Sequence, residues 1–322
     1  MNRRPAKLKP MGFADLKNDF VFRRIFARRP DLLRGLLNDL LDRRGARAIK
    51  GIEYLPSEQL PVAAGAKLSV LDVRCRDRSG ATFVVEMQLL HMPGFLNRVV
   101  YNACKAYADQ LNVGDSYTKL ADVIAISICD FLLWPDAEQD AANLPRVPML
   151  SRWNMTERGS GNHGLLQVQY AFLELPKLPA RRPETRAELW AWLFVNATRL
   201  TEVPPNLPPG HREVVKLANE ATFTRLELEA YRKVTDEIRL ARDYGEFRWA
   251  AGKAEGKAEG KAEGKAEGLA RAILTLLAAR GVPIGSQARA HIEACKDVAT
   301  LDRWILRAST AGSAEEILAT RA

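Results

Sequence analysis

Two neighbouring stretches, Lys67–Arg76 and Ala81–Leu90, constrain this chain more than anything else in it. Apolar and β-branched residues recur at every second position in both, and Asp77-Arg78-Ser79-Gly80 between them carries the residue types that close a tight turn. The pair predicts an antiparallel hairpin. Folding around residue 79 sets Asp72 opposite Glu86. Alternation puts Leu68, Val70, Asp72 and Arg74 on one face of the first strand, and Thr82, Val84, Glu86 and Gln88 on one face of the second. Two carboxylates facing each other between apolar neighbours repel unless something cationic stands between them. A divalent metal with hard oxygen ligands meets that need. So does pairing with Arg74, Arg76 or a helix-borne lysine, and the residues alone leave both open.

The flanking elements give the order α-β-β-β-α-β. Residues 15–29 predict a short helix, with Leu16, Phe20, Val21/Ile25 and Phe22/Phe26 inward and Arg23, Arg24, Arg28 and Arg29 on the polar side. A second helix follows Pro30 with Asp31 as its cap, and its stripe of Leu33, Leu36, Leu37, Leu40 and Leu41 is core. Ile52–Leu60 reads as a weak strand. Asn97–Asn112 predicts a helix whose buried stripe is Val100, Cys104, Tyr107 and Leu111, with Gly114 near its stop. Leu120–Phe131 is almost continuously apolar, as a strand covered on both faces should be. A loop is expected over 135–163, then a strand at Leu165–Leu175, then helices from Glu184 onward, interrupted by the Pro-rich stretch 203–210.

Asp, hairpin and Glu-x-Gln within that order resemble the PD-(D/E)xK nuclease superfamily, and more closely the Rpn-like family of recombination-promoting nucleases and transposases. The resemblance rests on Lys17-Asn18-Asp19-x-Val21-Phe22 with Phe26 after it, Leu71-Asp72-Val73, Val85-Glu86-Met87-Gln88, and Tyr101…Tyr107…Gln110-Leu111 running into Gly114-x-x-Tyr117. It covers roughly residues 11–175. It implies a mixed sheet flanked by helices and Mg²⁺-dependent hydrolysis of DNA phosphodiester bonds, with Mn²⁺ as a substitute, in recombination or mobile-element biology. Asp72, Glu86 and the carbonyl oxygen of Met87 would hold the metal. Gln88 stands where the superfamily usually has Lys; it can orient a water but brings no charge. Asp19 is a candidate auxiliary carboxylate, or simply a helix-start residue favoured by the dipole. Lys17, Arg23, Arg24, Arg98 and Lys105 are candidate phosphate contacts, and Gln110 a residue that reaches the site.

The expected organisation is a nuclease-like domain over 11–180, a helical extension over 181–251, a Lys-Ala-Glu-Gly repeat over 252–268 and a small helical module over 269–322. The repeat sets like charges at i,i+4 and Gly at every fourth position, both costly in a helix. It reads either as a linker or as a helix pairing with another chain, the route to a homo-oligomer. Residues 1–50 hold 14 Lys/Arg against 5 Asp/Glu, and that surplus of nine equals the net charge of the whole chain. Such an imbalance suits a polyanion such as DNA, and also suits a solvated basic surface. Four scattered cysteines, with no apolar leader and no apolar run near the roughly 20 residues of a membrane span, favour a reducing, cytoplasmic setting without a membrane partner. Isolated histidines and the lack of a Gly-rich phosphate loop argue against thiol proteases and nucleotide binders. Alongside the endonuclease stand a catalytically weak or inactive DNA-binding module and a helical interaction protein.

Overall fold

In the computed structural model the described residues are 12–59, 69–70 and 72–318. The chain divides into two compact units, the first up to Arg239 and the second from Leu240.

In the first unit, α1 (Asp19–Phe26) and α2 (Pro30–Leu40) precede the strands β1 (Ile52–Leu55), β2 (Glu58–Gln59), β3 (Ser69–Val70), β4 (Val73–Asp77) and β5 (Thr82–Gln88). Then come α3 (Phe95–Ala108), β6 (Val123–Cys129), α4 (Asp136–Ala141), β7 (Leu150–Met155), β8 (Leu165–Glu174), α5 (Arg186–Asn196), α6 (Pro209–Ala218) and the start of α7 (Arg225–Ala279). A six-stranded mixed sheet has the order β1-β4-β5-β6-β8-β7, while β2 and β3 pair separately. β5, β6 and β8 run parallel; β4 lies antiparallel to β5 and β7 antiparallel to β8. The β4–β5 register is the expected one, with Val73 facing Val85 and Arg74 facing Val84.

Alternation divides the sheet between two cores. Phe83, Val85 and Met87 of β5, with Ile124, Ile126 and Ile128 of β6, pack under α1, α2, α5 and α6. Val84 of β5, with Val123, Ala125 and Cys129 of β6, packs under Phe95, Val99, Ala103 and Ala106 of α3. α5 and α6, within the stretch read as a helical extension, thus share one core with the strands: Trp190, Phe194, Val214 and Val215 are buried against Phe22, Phe26 and the leucines of α2.

Four local readings are corrected. α1 is shorter than 15–29, because the Asn18 side chain accepts from the backbone N–H of Phe20 and Val21 and so fixes the start, and Ala27 closes the end. Arg29, not Asp31, occupies the cap of α2; Pro30 opens the helix and Asp31 pairs with Arg29 at 2.8 Å. Within the expected loop 135–163 lie α4 and β7. Most of β7 is exposed at the sheet edge, so it has no apolar alternation to read. The buried stripe of α3 is Phe95, Val99, Asn102, Ala103 and Ala106, one residue out of phase with the expected one; Val100 and Cys104 are exposed.

In the second unit the repeat is helical, lying inside α7. Ala266, Ala270, Ile273 and Leu277 of that helix form a core with Ile292 of α8 (Ser286–Ala294), Leu301 and Trp304 of α9 (Val298–Ala308), and Ile317 of α10 (Ala314–Leu318). No helix among the described residues is long and apolar enough to cross a membrane.

Candidate active site

Asp72 immediately precedes β4, opposite Glu86. Its Oδ2 accepts the Met87 backbone N–H at 2.7 Å, so a side chain continues the ladder where backbone pairing stops. Its Oδ1 accepts from Arg23 Nη2 at 2.8 Å and Nε at 3.1 Å. Glu86 lies next to β6, beside Ser127, and is 8% exposed. Its Oε1 accepts from Asn102 Nδ2 of α3 at 3.0 Å. Gln88 ends β5; its amide nitrogen donates to the Leu90 carbonyl at 3.2 Å, and its Oε1 accepts from the Arg98 guanidinium. Asp19 and Arg23, four residues apart on α1, share one helix face.

These side chains line a single cleft of about 860 Å³, together with Met87, Tyr101, Asn102 and Ile238. Burial pushes the Asp19 carboxyl up to about 6, the nearby Asp72 charge adds to the rise, and Arg23 opposes it. Burial also holds Glu86 above its ordinary value; Arg98 and the Asn102 hydrogen bond pull it back, while Asp72 pushes it further up. Asp19 Oδ1 is buried without a hydrogen-bond partner among the described residues. The cleft therefore gathers three carboxyl groups, and the Asp72 charge disfavours ionisation of the other two. Arg23 and Arg98 are the guanidinium groups lining it.

The remaining expected site residues lie elsewhere. Lys17 pairs with Asp130 at 2.8 Å and ties the approach to α1 to the end of β6. Arg24 is a structural clamp: it donates to Glu227 Oε1 at 3.0 Å and to the carbonyls of Leu217 and Thr222, with its guanidinium 4.1 Å from the Phe223 ring centre. Lys105 is 6% exposed, on the inward side of α3 and not its polar side. Gln110 does not reach the cleft; its amide grips the backbone N–H and carbonyl of Ala121, both at 2.9 Å. The residue missed in the sequence is Asn102. Arg98, Asn102 and Lys105 recur at i, i+4, i+7, a polar stripe hidden by the neighbouring apolar one.

Among the described residues, no three His, Cys, Asp or Glu side chains converge tightly enough to hold an ion by themselves. Asp72 and Glu86, which face the same cleft, are hard oxygen donors of the kind that magnesium favours. No curated protein and no solved structure matches the chain. The model of the PD-(D/E)XK nuclease family transposases does match, over residues 16–245, which takes in the hairpin, the cleft and the helices that complete their core, and the chain belongs to that family.

Proposed function

We propose that the cleft is the active site of a divalent-metal-dependent DNA endonuclease. What carries the reading is the meeting of Asp19, Asp72 and Glu86 in one cleft, with the Asp19 and Glu86 carboxyls held above their ordinary range, in a chain of a nuclease family. Asp72, Glu86 and the Met87 carbonyl would hold Mg²⁺ or Mn²⁺, and the unpartnered oxygen of Asp19 fits an auxiliary role. When bound, the ion supplies positive charge that eases deprotonation of a water and offsets charge growing on the phosphate.

The chain's own residues prepare this. The Met87 N–H and the Asn102 amide orient Asp72 and Glu86. Arg23 holds the free edge of Asp72 and would yield that oxygen to an ion bound there. With Asp72 engaged, Arg23 would be left facing the cleft to meet a DNA phosphate.

The test is nicking of supercoiled plasmid with Mg²⁺ or Mn²⁺. Asp72→Ala and Glu86→Ala should each lower the rate by about a thousandfold, the worth of several kcal/mol of charge stabilisation. Wild-type rates in both variants would overturn the assignment. DNA binding with a steep salt slope and no cleavage would make the chain a DNA-binding module instead.

A further inference from the structure

Charge that builds on a phosphate under attack is best met by fixed positive charge placed in advance. Gln88, on the same strand face as Glu86, offers a donor and an acceptor but no charge. The structure puts a cation against it from a different element. Gly94 takes a left-handed conformation (φ +74°) at the start of α3, so the chain turns back after β5 and residue 98 returns to residue 88. There the Arg98 guanidinium donates to Gln88 Oε1. The Gln88 amide is fixed from its other end by the Leu90 carbonyl, so both of its polar atoms are used in holding that arrangement. Arg98 is exposed along the cleft, and a guanidinium has five N–H donors, of which Gln88 takes one.

We infer that Arg98, positioned by Gln88, is the catalytic cation that meets a non-bridging oxygen of the attacked phosphate, replacing a cation on the strand itself. The inference rests on the nuclease reading and divides the labour within it: Gln88 is a positioning residue and Arg98 touches the reacting group. In the hydrolysis, a water oxygen forms a bond to phosphorus and the bond from phosphorus to a sugar oxygen breaks. One proton of the water ends on the departing oxygen, and the other passes to solvent as the new phosphate monoester ionises. The Arg98 charge faces a non-bridging oxygen that becomes more negative along this path.

The experiment compares kcat and KM for plasmid nicking in the full chain, alongside Mn²⁺ binding. Arg98→Ala should lower kcat about a hundredfold to a thousandfold, the usual cost of removing one such donor. Mn²⁺ affinity should hold or rise once the cation is gone. Gln88→Lys in the Arg98→Ala background should recover kcat to within about tenfold of wild type, because it restores charge where the strand lacks it. A merely structural arginine would not be rescued from position 88. If that double variant fails to fold, Arg98→Lys decides: retention of most of kcat supports the inference, and a loss equal to that of alanine overturns it. A rise in KM with kcat unchanged in Arg98→Ala would make Arg98 a binding contact and overturn the inference alone. Wild-type protein that leaves DNA uncut with either ion, or cuts equally well as Asp72→Ala, would overturn the nuclease reading and this inference with it.

Discussion

Asp19 stores electrostatic strain that should be measurable without any DNA. In the folded chain its carboxyl titrates at about 6 against an ordinary 3.8, because burial and the Asp72 charge disfavour its ionisation. Between those values the folded chain keeps a proton that the unfolded chain has released. The stability of the metal-free protein should therefore fall as pH rises from about 4 to about 6, then level off. Asp19→Asn removes the loss: the variant should melt above wild type at about pH 7.5, by roughly 2–4 °C per kcal/mol of relieved repulsion, and with it at about pH 4. A wild-type-like melting temperature at both pH values would mean that the carboxyl carries no strain. At this scale the two central carboxylates were legible, since strand parity and turn chemistry alone place Asp72 across from Glu86. Their partners were not. The Arg23–Asp72 and Asn102–Glu86 contacts join residues 49 and 16 positions apart on different elements, and no local pattern encodes such distances.

Among the elements, α3 shows how a correct helix can be read with the wrong face inward. Val100, Cys104, Tyr107 and Leu111 have helical spacing and greater bulk, yet Ala103 and Ala106 point to the sheet. Small residues let a helix come close to a pleated surface, and hydrophobic patterning undercounts them because they are only weakly apolar. The phase carries a consequence for the site, since it is what turns Asn102 onto Glu86. Ala103→Leu should overpack this layer and destabilise the fold by about 1–3 kcal/mol. Val100→Ser, on the outer face, should stay within about 0.5 kcal/mol of wild type in urea unfolding. The reverse ranking would restore the stripe expected from sequence. The Lys-Ala-Glu-Gly repeat teaches the complementary lesson. Its Gly content and like-charge spacing argue against a helix, but Ala266 is buried in the second unit's core, Glu263 pairs with Lys296 at 2.7 Å and Lys265 with Asp302 at 3.7 Å. Packing and ion pairs within the chain outweigh weak intrinsic propensity, and they draw on charges expected to serve a second chain.

At the scale of the molecule, part of the basic surplus of the first 50 residues is answered by acids distant in sequence. Lys17, Arg23, Arg24, Arg28, Arg29 and Arg43 pair with Asp130, Asp72, Glu227, Glu213 and Asp77, all beyond residue 50. A segmental charge count cannot see this compensation, so α1 is a weaker candidate for an electrostatic grip on DNA than its sequence suggests. A better candidate is the hollow of about 640 Å³ at the turn end of the β4–β5 hairpin, lined by Arg43, Arg47, Lys50 and Arg78 with Asp42 and Asp77. Gly51 makes room for it, since a Cβ there would stand 3.1 Å from Arg78 Nε. The cleft lies at the open end of the same hairpin, about five residues or roughly 17 Å away along the strand, so both could follow one nucleic-acid backbone. Replacing Arg47, Lys50 and Arg78 by Gln should weaken DNA binding and reduce the salt slope by roughly 0.9 for each phosphate that is no longer neutralised. Replacing Arg28 and Arg29 should change the slope less, because their charges are already met by Glu227, Asp31 and Glu213. Arg24→Gln should lower the melting temperature instead, since it unfastens α1 from Glu227 and the Leu217 and Thr222 carbonyls. Affinity titrations of each variant between about 50 and 200 mM salt separate these cases. An unchanged slope in the triple variant, with a flattened one in Arg28→Gln/Arg29→Gln, would return the DNA path to the turn between α1 and α2.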